Sequence, residues 1–199
     1  MLTDKEQKKQ FKQIASKEPE KYYPVNALVR EGFFRNRCKS CGKFFWHVDK
    51  QKRVCGDAAC SGGFDIAQRT PAKTRLSYIG VWKKIVEMFG PLGYKAINRY
   101  PVVARWNPTT EFVMASIAAF QPYVITGQVD PPAKKLVIPQ FSLRFSDIDN
   151  VGITGSHCTG FVMIGQHAFM SEDQWDQEQL FMDIYNFLVK GIGLEKSEL

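Results

Sequence analysis

The first stretch of the chain has the apolar spacing of a weak amphipathic helix. Phe11 and Ile14 form a short apolar stripe within residues 3–17. Thr3 and Glu6 precede it at the spacing of a capping box, in which each side chain accepts a hydrogen bond from the other residue's backbone. The pattern predicts a helix over residues 3–17 that is too polar to be stable without packing against another part of the protein.

Two further helices are predicted nearer the C-terminal end. The first begins after Ser77, a typical N-cap, carries a strong apolar stripe and ends at Gly90. The second opens at Ser171 and ends at Gly191. The residues expected on its apolar side are Trp175, Phe181, Ile184, Phe187 and Leu188.

The segments between these helices have strand-like patterns. Extended chain or strand is predicted at residues 94–99, 101–105, 136–138, 141–145 and 158–164. The polar stretch 146–156 is rich in Asp, Asn and Gly and is expected to be a loop. Together the last strands and this loop predict a long-looped antiparallel hairpin, and the whole pattern indicates an α+β fold.

Composition excludes several classes of protein. The 199 residues are 44% apolar and 24% charged, which is ordinary for a globular protein and not for a disordered one. No run approaches the ~20 apolar residues that span a bilayer, and the first part of the chain has no apolar signal-peptide core. Membrane, secreted and fibrous classes are therefore disfavoured, and by elimination we expect a cytoplasmic protein.

Positive charge is concentrated toward the N-terminus. Residues 1–75 contain 17 Lys and Arg against 8 Asp and Glu, whereas residues 76–199 contain 10 against 12. Such a basic region is suited to contact with a polyanion such as RNA, although a solvated lysine-rich face would give the same counts.

Four of the five cysteines form two closely spaced pairs. Cys38 and Cys41 are separated by thirteen residues from Cys55 and Cys60. Two such pairs supply four thiolates for tetrahedral Zn²⁺, and metal binding then stabilises a segment that has little core of its own. A closed four-cysteine site is structural; a redox pair and a site that has lost its metal are the alternatives. His47, between the pairs, is interpreted as a surface residue and not as a ligand.

Several longer strings point to one family. They are residues 22–25 (YYPV), 32–46 (GFFRNRCKSCGKFFW), 55–60 (CGDAAC), 99–106 (RYPVVARW), 115–122 (ASIAAFQP), 144–152 (RFSDIDNVG), 154–157 (TGSH) and 167–169 (HAF). On these strings the chain resembles the N-terminal part of archaeal-type alanyl-tRNA synthetase, from about residue 10 to residue 195.

The resemblance implies a class II aminoacyl-tRNA synthetase-like fold, an antiparallel sheet flanked by helices, with a small zinc-ribbon-like module before it. We expect the basic helix and zinc module in residues 1–70 and a partial catalytic domain in residues 71–199. The first class II motif matches residues 77–101 and the second about 139–169. The third motif, the tRNA-binding regions and the dimerising regions are expected to be missing, which makes a monomer the default.

Members of this family activate alanine with ATP and Mg²⁺ and transfer it to tRNA(Ala), so the resemblance implies these ligands. Adenylate formation builds negative charge on the α-phosphate oxygens of ATP, and a guanidinium offers those oxygens a fixed fork of donors. Arg144 matches the family's α-phosphate arginine and is the catalytic candidate. A solvated arginine at a strand edge is the alternative.

Five more residues are candidates for the ATP site. Asp147 and Asp149 in the loop are suited to Mg²⁺ or tRNA contacts, although loop aspartates also cap turns. Alternation is expected to bring His157, Phe161 and Met163 to one face of the return strand, where the family seats ATP. Core packing is the alternative for Phe161 and Met163.

Three positions depart from the family pattern, in which the loop reads VGRTGRH and the next strand contains FEM. Ile153 and Ser156 stand in place of two arginines, and Val162 stands in place of a glutamate. Removing one electrostatic group from such a site typically costs ~10²–10³ in rate. We therefore expect the three replacements to weaken adenylation.

Two functions follow. The first is an alanine–tRNA ligase present as a partial catalytic domain, which a complementary chain carrying the third motif would complete. The second is a catalytically inactive, stand-alone synthetase-like module that binds RNA or protein, which the three replacements favour. An unrelated zinc-ribbon DNA-binding factor would leave the matching strings after residue 99 unexplained.

Overall fold

The computed structural model describes residues 3–63 and 71–199. Its α-helices are α1 (Asp4–Lys17), α2 (Val25–Arg30), α3 (Ala58–Ser61), α4 (Tyr78–Phe89) and α5 (Gln177–Asn186). Its strands are β1 (Phe34–Arg37), β2 (Phe44–His47), β3 (Lys95–Ala96), β4 (Lys135–Leu143) and β5 (Gly160–Ala168). Short 3₁₀ turns lie at Pro19–Lys21, Gly90–Leu92, Ser116–Phe120, Ile148–Asn150, Glu172–Gln174 and Lys196–Glu198, and a π-helical segment, Phe187–Ile192, continues α5.

The predicted capping box begins α1. The Thr3 side chain accepts from the Glu6 backbone N–H, and the Thr3 backbone N–H donates to the Glu6 carboxylate at 2.8 Å. The helix is mostly exposed, and Arg35 of β1 holds its end by donating to the carbonyl oxygen of Ser16 at 2.7 Å. The helix predicted over residues 3–17 is thereby confirmed. The short helix α2, which follows Pro24, was not predicted.

Two strands and a short helix carry the four clustered cysteines, and we call residues 34–63 the cysteine module. β1 and β2 pair antiparallel, with Phe34 opposite His47 and Arg37 opposite Phe44. The turn between them contains the first cysteine pair, while α3 carries Cys60 of the second pair. The module is thus a small hairpin followed by one helical turn.

A three-stranded sheet in the order β3–β4–β5 organises residues 71–199, which we call the sheet region. β4 and β5 pair antiparallel along their whole length, from Lys135 opposite Ala168 to Leu143 opposite Gly160. β3 runs parallel to β4. The α+β fold and the long-looped antiparallel hairpin are confirmed, and the parallel edge strand makes the sheet mixed.

The sheet has an apolar layer on each side, because successive residues of β4 point to opposite faces. One face carries Val137, which packs with Ile85 and Phe89 of α4 and with Phe187. The other face carries Leu136 and Ile138, which pack with Ala119 and Phe120. The predicted α4 lies against the first face, and its N-cap Ser77 accepts from the Gly80 N–H at 3.1 Å.

One continuous strand replaces the two predicted at 136–138 and 141–145. The Ile97 N–H donates to the Val137 carbonyl. The backbone N–H and C=O groups of the odd-numbered residues in this part of β4 therefore point toward the β3 side and away from β5. β3 ends opposite Val137. Pro139, which lacks an N–H, therefore lies where no neighbouring strand needs a donor, and the strand passes through it.

Other predicted elements also differ from the structure. Residues 101–105 form no strand and make only an isolated bridge between Val103 and Phe112. The last α-helix begins at Gln177 and not at Ser171, because the Asp176 side chain accepts from the Gln179 N–H at 2.9 Å, whereas Ser171 makes no side-chain cap. Trp175 thus precedes the helix and is 47% exposed. The helical chain also continues past Gly191 to Ile192.

The residues around the end of α2 dock on α5 and on the last 3₁₀ turn of the chain. Arg30 pairs with Glu178 at 2.6 Å, and Glu31 pairs with Lys196 at 2.8 Å. The hydroxyl of Tyr185 also donates to the Glu31 carboxylate at 2.9 Å. The hydrogen bonds from Lys196 and Tyr185 lower the pKa of Glu31 below its ordinary value.

Within residues 3–63 and 71–199, no helix combines the length and apolar character needed to cross a membrane.

Candidate functional site

A cavity of about 440 Å³ opens where β4 leaves the sheet and enters the long loop toward β5. Four of the predicted site residues line it: Arg144, Asp147, His157 and Phe161. β4 and β5 bring them together because Leu143 and Gly160 are the last paired residues, so Arg144 and Phe161 lie next to each other at the open end of the hairpin. We call this space the hairpin cavity.

Arg144 is held in place at this cavity by two contacts. Its guanidinium carbon lies 5.1 Å from the centroid of the Phe161 ring, within the range of a cation–π interaction. Its Nε donates to the carbonyl oxygen of Met114 at 3.0 Å. Among the described residues, the two terminal nitrogens have no hydrogen-bond partner. These two contacts therefore orient the Arg144 side chain and leave its two terminal nitrogens available as hydrogen-bond donors.

The two loop aspartates are separated by the structure. Asp147 lines the hairpin cavity and accepts from the Ser146 hydroxyl at 3.2 Å. Asp149 lies in the 3₁₀ turn Ile148–Asn150, is exposed and is not a lining residue of that cavity. Of the two candidates, only Asp147 lines the same cavity as Arg144.

His157 and Met163 occupy different surroundings. His157 lines the hairpin cavity, and its Nδ1 shares a 2.6 Å hydrogen bond with the hydroxyl of Thr154. Met163 is on the same face of β5 as Phe161 but lies deeper, where its sulfur is 3.5 Å from the Ser116 backbone nitrogen. Met163 is not a lining residue of the cavity, so the packing alternative describes it better than contact with a ligand.

The three departures from the family pattern are not equivalent in space. Ser156 lines the hairpin cavity, whereas Ile153 is 78% exposed. Val162 alternates with Phe161 along an unbroken ladder and therefore points to the opposite face of the sheet. Val162 is accordingly not among the residues that line the hairpin cavity.

The sequence did not identify the group that orients Arg144. Met114 contributes its backbone carbonyl, which no side-chain pattern can indicate. The only signal was indirect, since the matching string at residues 115–122 begins immediately after Met114. Cys158 and Val151 also line the cavity and were not singled out.

The four clustered cysteines converge on one point. The sulfur atoms of Cys38, Cys41, Cys55 and Cys60 all lie within 4.8 Å of one another, and those of Cys41 and Cys55 are 3.9 Å apart. Tetrahedral Zn²⁺ with Zn–S bonds of ~2.3 Å needs sulfurs separated by ~3.8 Å. The donor set and its spacing therefore fit a structural zinc ion.

A bound cation would also change the charge state of these thiols. Hydrogen bonds from the backbone N–H groups of Cys41 and Cys55 lower the pKa of Cys38 to about 6. At Cys60 a hydrogen bond with Ser40 favours the thiolate, but desolvation and the neighbouring thiols outweigh it and raise the pKa to about 12. Four adjacent thiolates repel one another, and a divalent metal is what allows all of them to be charged.

Comparison with known proteins places this geometry in a family. Residues 81–199 match the sequence model of a family described as tRNA synthetases class II (A). The chain belongs to the class II (A) tRNA synthetases. The matched residues include β4, β5 and every residue described above as lining the hairpin cavity.

Individual synthetases match over nearly the whole chain. The alanine–tRNA ligase of Methanocella arvoryzae is 42% identical over 200 residues, covering 100% of this chain and 23% of that protein. The alanine–tRNA ligase of Nitrosopumilus maritimus is 36% identical over 194 residues, covering 96% of this chain and 22% of that protein. That of Methanothermobacter thermautotrophicus is 43% identical over 178 residues, covering 86% of this chain and 19% of that protein. This class II synthetase chain thus spans about a fifth of the length of these relatives.

Proposed function

We propose that this chain is part of an alanine–tRNA ligase and that its hairpin cavity binds the α-phosphate end of ATP. The observation that carries the proposal is Arg144, which is anchored by Met114 and Phe161 while its terminal nitrogens have no partner among the described residues. A guanidinium held in this way is preorganised for an anion and has little reorganisation to undergo when charge develops.

In the proposed reaction, the alanine carboxylate attacks the α-phosphorus of ATP, and the bond to pyrophosphate breaks. The Arg144 fork stabilises the charge that builds on the non-bridging oxygens. His157, fixed through Thr154, offers a second polar group on the same cavity wall. Asp147 supplies a carboxylate oxygen of the type Mg²⁺ accepts, and the ion would neutralise phosphate charge.

The N-terminal part contributes differently. We assign residues 1–70 to a basic module that holds Zn²⁺ through the four clustered cysteines, and residues 71–199 to the partial catalytic domain. Within residues 1–70, the cysteine module exposes Phe34 and Phe44, and the Arg35 guanidinium lies 3.9 Å from the Phe44 ring centroid. Exposed aromatic and cationic side chains of this kind suit contact with tRNA.

The remaining partners follow from the same proposal. Alanine and tRNA(Ala) are the substrates, and a complementary segment or chain carrying the third class II motif completes the site. A tRNA substrate is consistent with a cytoplasmic location.

A second function is supported by one position. Ser156 lines the hairpin cavity at a place where the resemblance implies an arginine, and this weakens the cavity's positive charge. A chain that has lost ATP binding but retains its basic module would be an inactive RNA-binding relative. Its RNA affinity would fall steeply with salt concentration.

Alanine-dependent ATP–pyrophosphate exchange, together with direct ATP binding, separates the two functions. Exchange is measured with this chain alone and mixed with the rest of a relative's synthetase as a separate chain. We expect exchange in the mixture, and we expect Arg144→Ala to reduce it by about 10²–10³-fold. Arg75→Ala, which removes an exposed arginine outside the cavity, is the matched control and should retain full exchange. Absence of ATP binding with retained RNA binding would favour the inactive module.

A further inference from the structure

The cysteine module touches the loop of the hairpin cavity at one glycine. Gly63 follows α3, the helix that carries Cys60, and lies directly against Thr154. A Cβ built on Gly63 would be 2.6 Å from the Thr154 carbonyl oxygen and 3.1 Å from its carbonyl carbon. These are backbone atoms, so no side-chain rotation relieves the overlap. The end of the module and the loop are therefore in close backbone contact.

The contacted residue leads directly to the hairpin cavity. The Thr154 hydroxyl shares the 2.6 Å hydrogen bond with His157, and the Ser156 N–H lies 3.3 Å from the same hydroxyl. The Ser156 hydroxyl donates to the Thr154 carbonyl oxygen, which is the atom that faces Gly63. One residue thus connects Gly63 to two residues that line the cavity.

Ser156 also lies between two cavities. Ser156 lines the hairpin cavity, and it lines a second, larger cavity of about 1040 Å³ on the module side. The second cavity includes Cys55, Cys60 and Gly63 on its other wall. Two of the clustered cysteines and the candidate nucleotide residues therefore line cavities that share Ser156.

We propose that the cysteine module positions the loop of the nucleotide site, with Gly63 and Thr154 as the positioning residues. The metal fixes α3 and its Gly62–Gly63 exit, and the exit holds Thr154 and, through it, His157 and Ser156. Zinc would thus support ATP binding without touching ATP. This inference rests on the proposed function, since it gives the loop a nucleotide to bind.

The chain provides a matched pair of variants. Gly62 and Gly63 are adjacent, and both have positive φ, +86° and +91°, so Gly→Ala costs backbone strain at either position. An added Cβ at Gly62 meets nothing within 4 Å, whereas at Gly63 it meets the Thr154 backbone. A difference between Gly62→Ala and Gly63→Ala therefore reports the contact and not the conformation of the turn.

The experiment measures three quantities on the full chain: zinc per chain, hydrogen exchange of residues 150–157, and the Kd of Mg·ATP. We expect both variants to retain zinc. We expect Gly63→Ala alone to raise exchange in the loop by about tenfold and to weaken ATP binding about tenfold, the size of one lost charge-assisted hydrogen bond. Removing zinc from the wild-type chain with a chelator should raise loop exchange in the same residues.

The outcomes separate this inference from the proposed function. Equal loop exchange in the two variants would overturn the contact's role. Faster loop exchange in Gly63→Ala with unchanged ATP affinity would overturn the link to the nucleotide. If the wild-type chain binds no ATP, the proposed function fails and the positioning of a nucleotide fails with it, while loop exchange still reports whether the module restrains the loop.

Discussion

The cysteine module and the sheet region are stabilised by different interactions. Within residues 34–63, all of which the structure describes, Cys38 is the one buried residue, at 2% exposure. The sheet region instead has apolar clusters on both faces of its sheet, in which Phe89, Leu136 and Ile138 are at most 1% exposed. A segment with so little buried apolar surface needs another source of folding free energy, and a metal held by the four convergent thiols would provide it.

The comparison indicates which perturbation each region should feel. The module should depend on metal and thiolate chemistry and be insensitive to changes in the apolar core. The sheet region should show the reverse. The contact of Gly63 with Thr154 is where we propose that the two regions are coupled.

Loss of a metal ligand should have the largest effect. Cys38→Ser removes a ligand at a buried residue, and structural zinc typically contributes ~10–16 kcal/mol to the folding of such small sites. We expect zinc per chain to fall to near zero and hydrogen exchange to become fast across residues 34–61. The thermal transition of the sheet region should persist, because its core contains no metal ligand.

The fifth cysteine is the control for that experiment. Cys158 is exposed and lies outside the four-sulfur cluster, so Cys158→Ser should keep a full complement of zinc. Full zinc in Cys38→Ser, or loss of zinc in Cys158→Ser, would contradict the assignment of the ligands.

A substitution that leaves a void in the apolar core should destabilise the sheet region and leave the cysteine module unaffected. Phe89 is 1% exposed and packs edge-on against Tyr94 and Phe187, so Phe89→Ala leaves a void that its neighbours cannot fill. We expect a loss of about 3–5 kcal/mol in the unfolding free energy of the sheet region, measured by denaturant titration, with zinc content unchanged. Leu92→Ala, at a 44% exposed side chain, should cost far less. Equal losses for the two variants would remove the distinction between the regions.

Local signals in the sequence predicted the parts of the fold that depend on nearby residues. Ser77 caps its helix as expected, because an N-cap is satisfied by a backbone group three residues away. The four cysteines were grouped correctly, since metal-ligand spacing is also a short-range pattern. The hairpin was predicted because alternation and a polar loop specify antiparallel pairing between neighbouring segments.

The rest depends on contacts that no local pattern encodes. Arg144 was chosen by resemblance, but its orientation comes from the carbonyl of Met114, a backbone group thirty residues away. The contact of Gly63 with Thr154 joins regions that are distant in sequence, and a glycine alone does not identify its neighbour. The start of the last helix was wrong because Ser171 and Asp176 are both acceptable caps, and in the structure the Asp176 side chain caps the α-helix.

Acid should affect both regions. In the sheet region, we expect it to lower the unfolding free energy by about 1–2 kcal/mol through His167. The His167 ring lies 5.1 Å from the Phe120 ring and stacks on Phe169, and its Nε2 is 3.0 Å from the Ser116 hydroxyl. Burial disfavours the imidazolium and lowers the pKa of His167 to about 4. Gly165 permits this arrangement, because a Cβ there would be 2.4 Å from the Ser116 hydroxyl.

The sign of the effect follows from proton binding. An unfolded histidine takes up its proton near pH 6.5, whereas folded His167 does so near pH 4, so the unfolded state binds more protons between these values. The unfolding free energy should therefore decrease as the pH falls through this window. His167→Gln retains an amide that can bond to Ser116 but does not titrate, so its stability should decrease less between about pH 7 and about pH 4.5. Denaturant titrations at both pH values, with zinc held in excess, measure the difference. If the wild type and His167→Gln lose equal stability, the partly buried ring is not what makes the sheet region sensitive to acid.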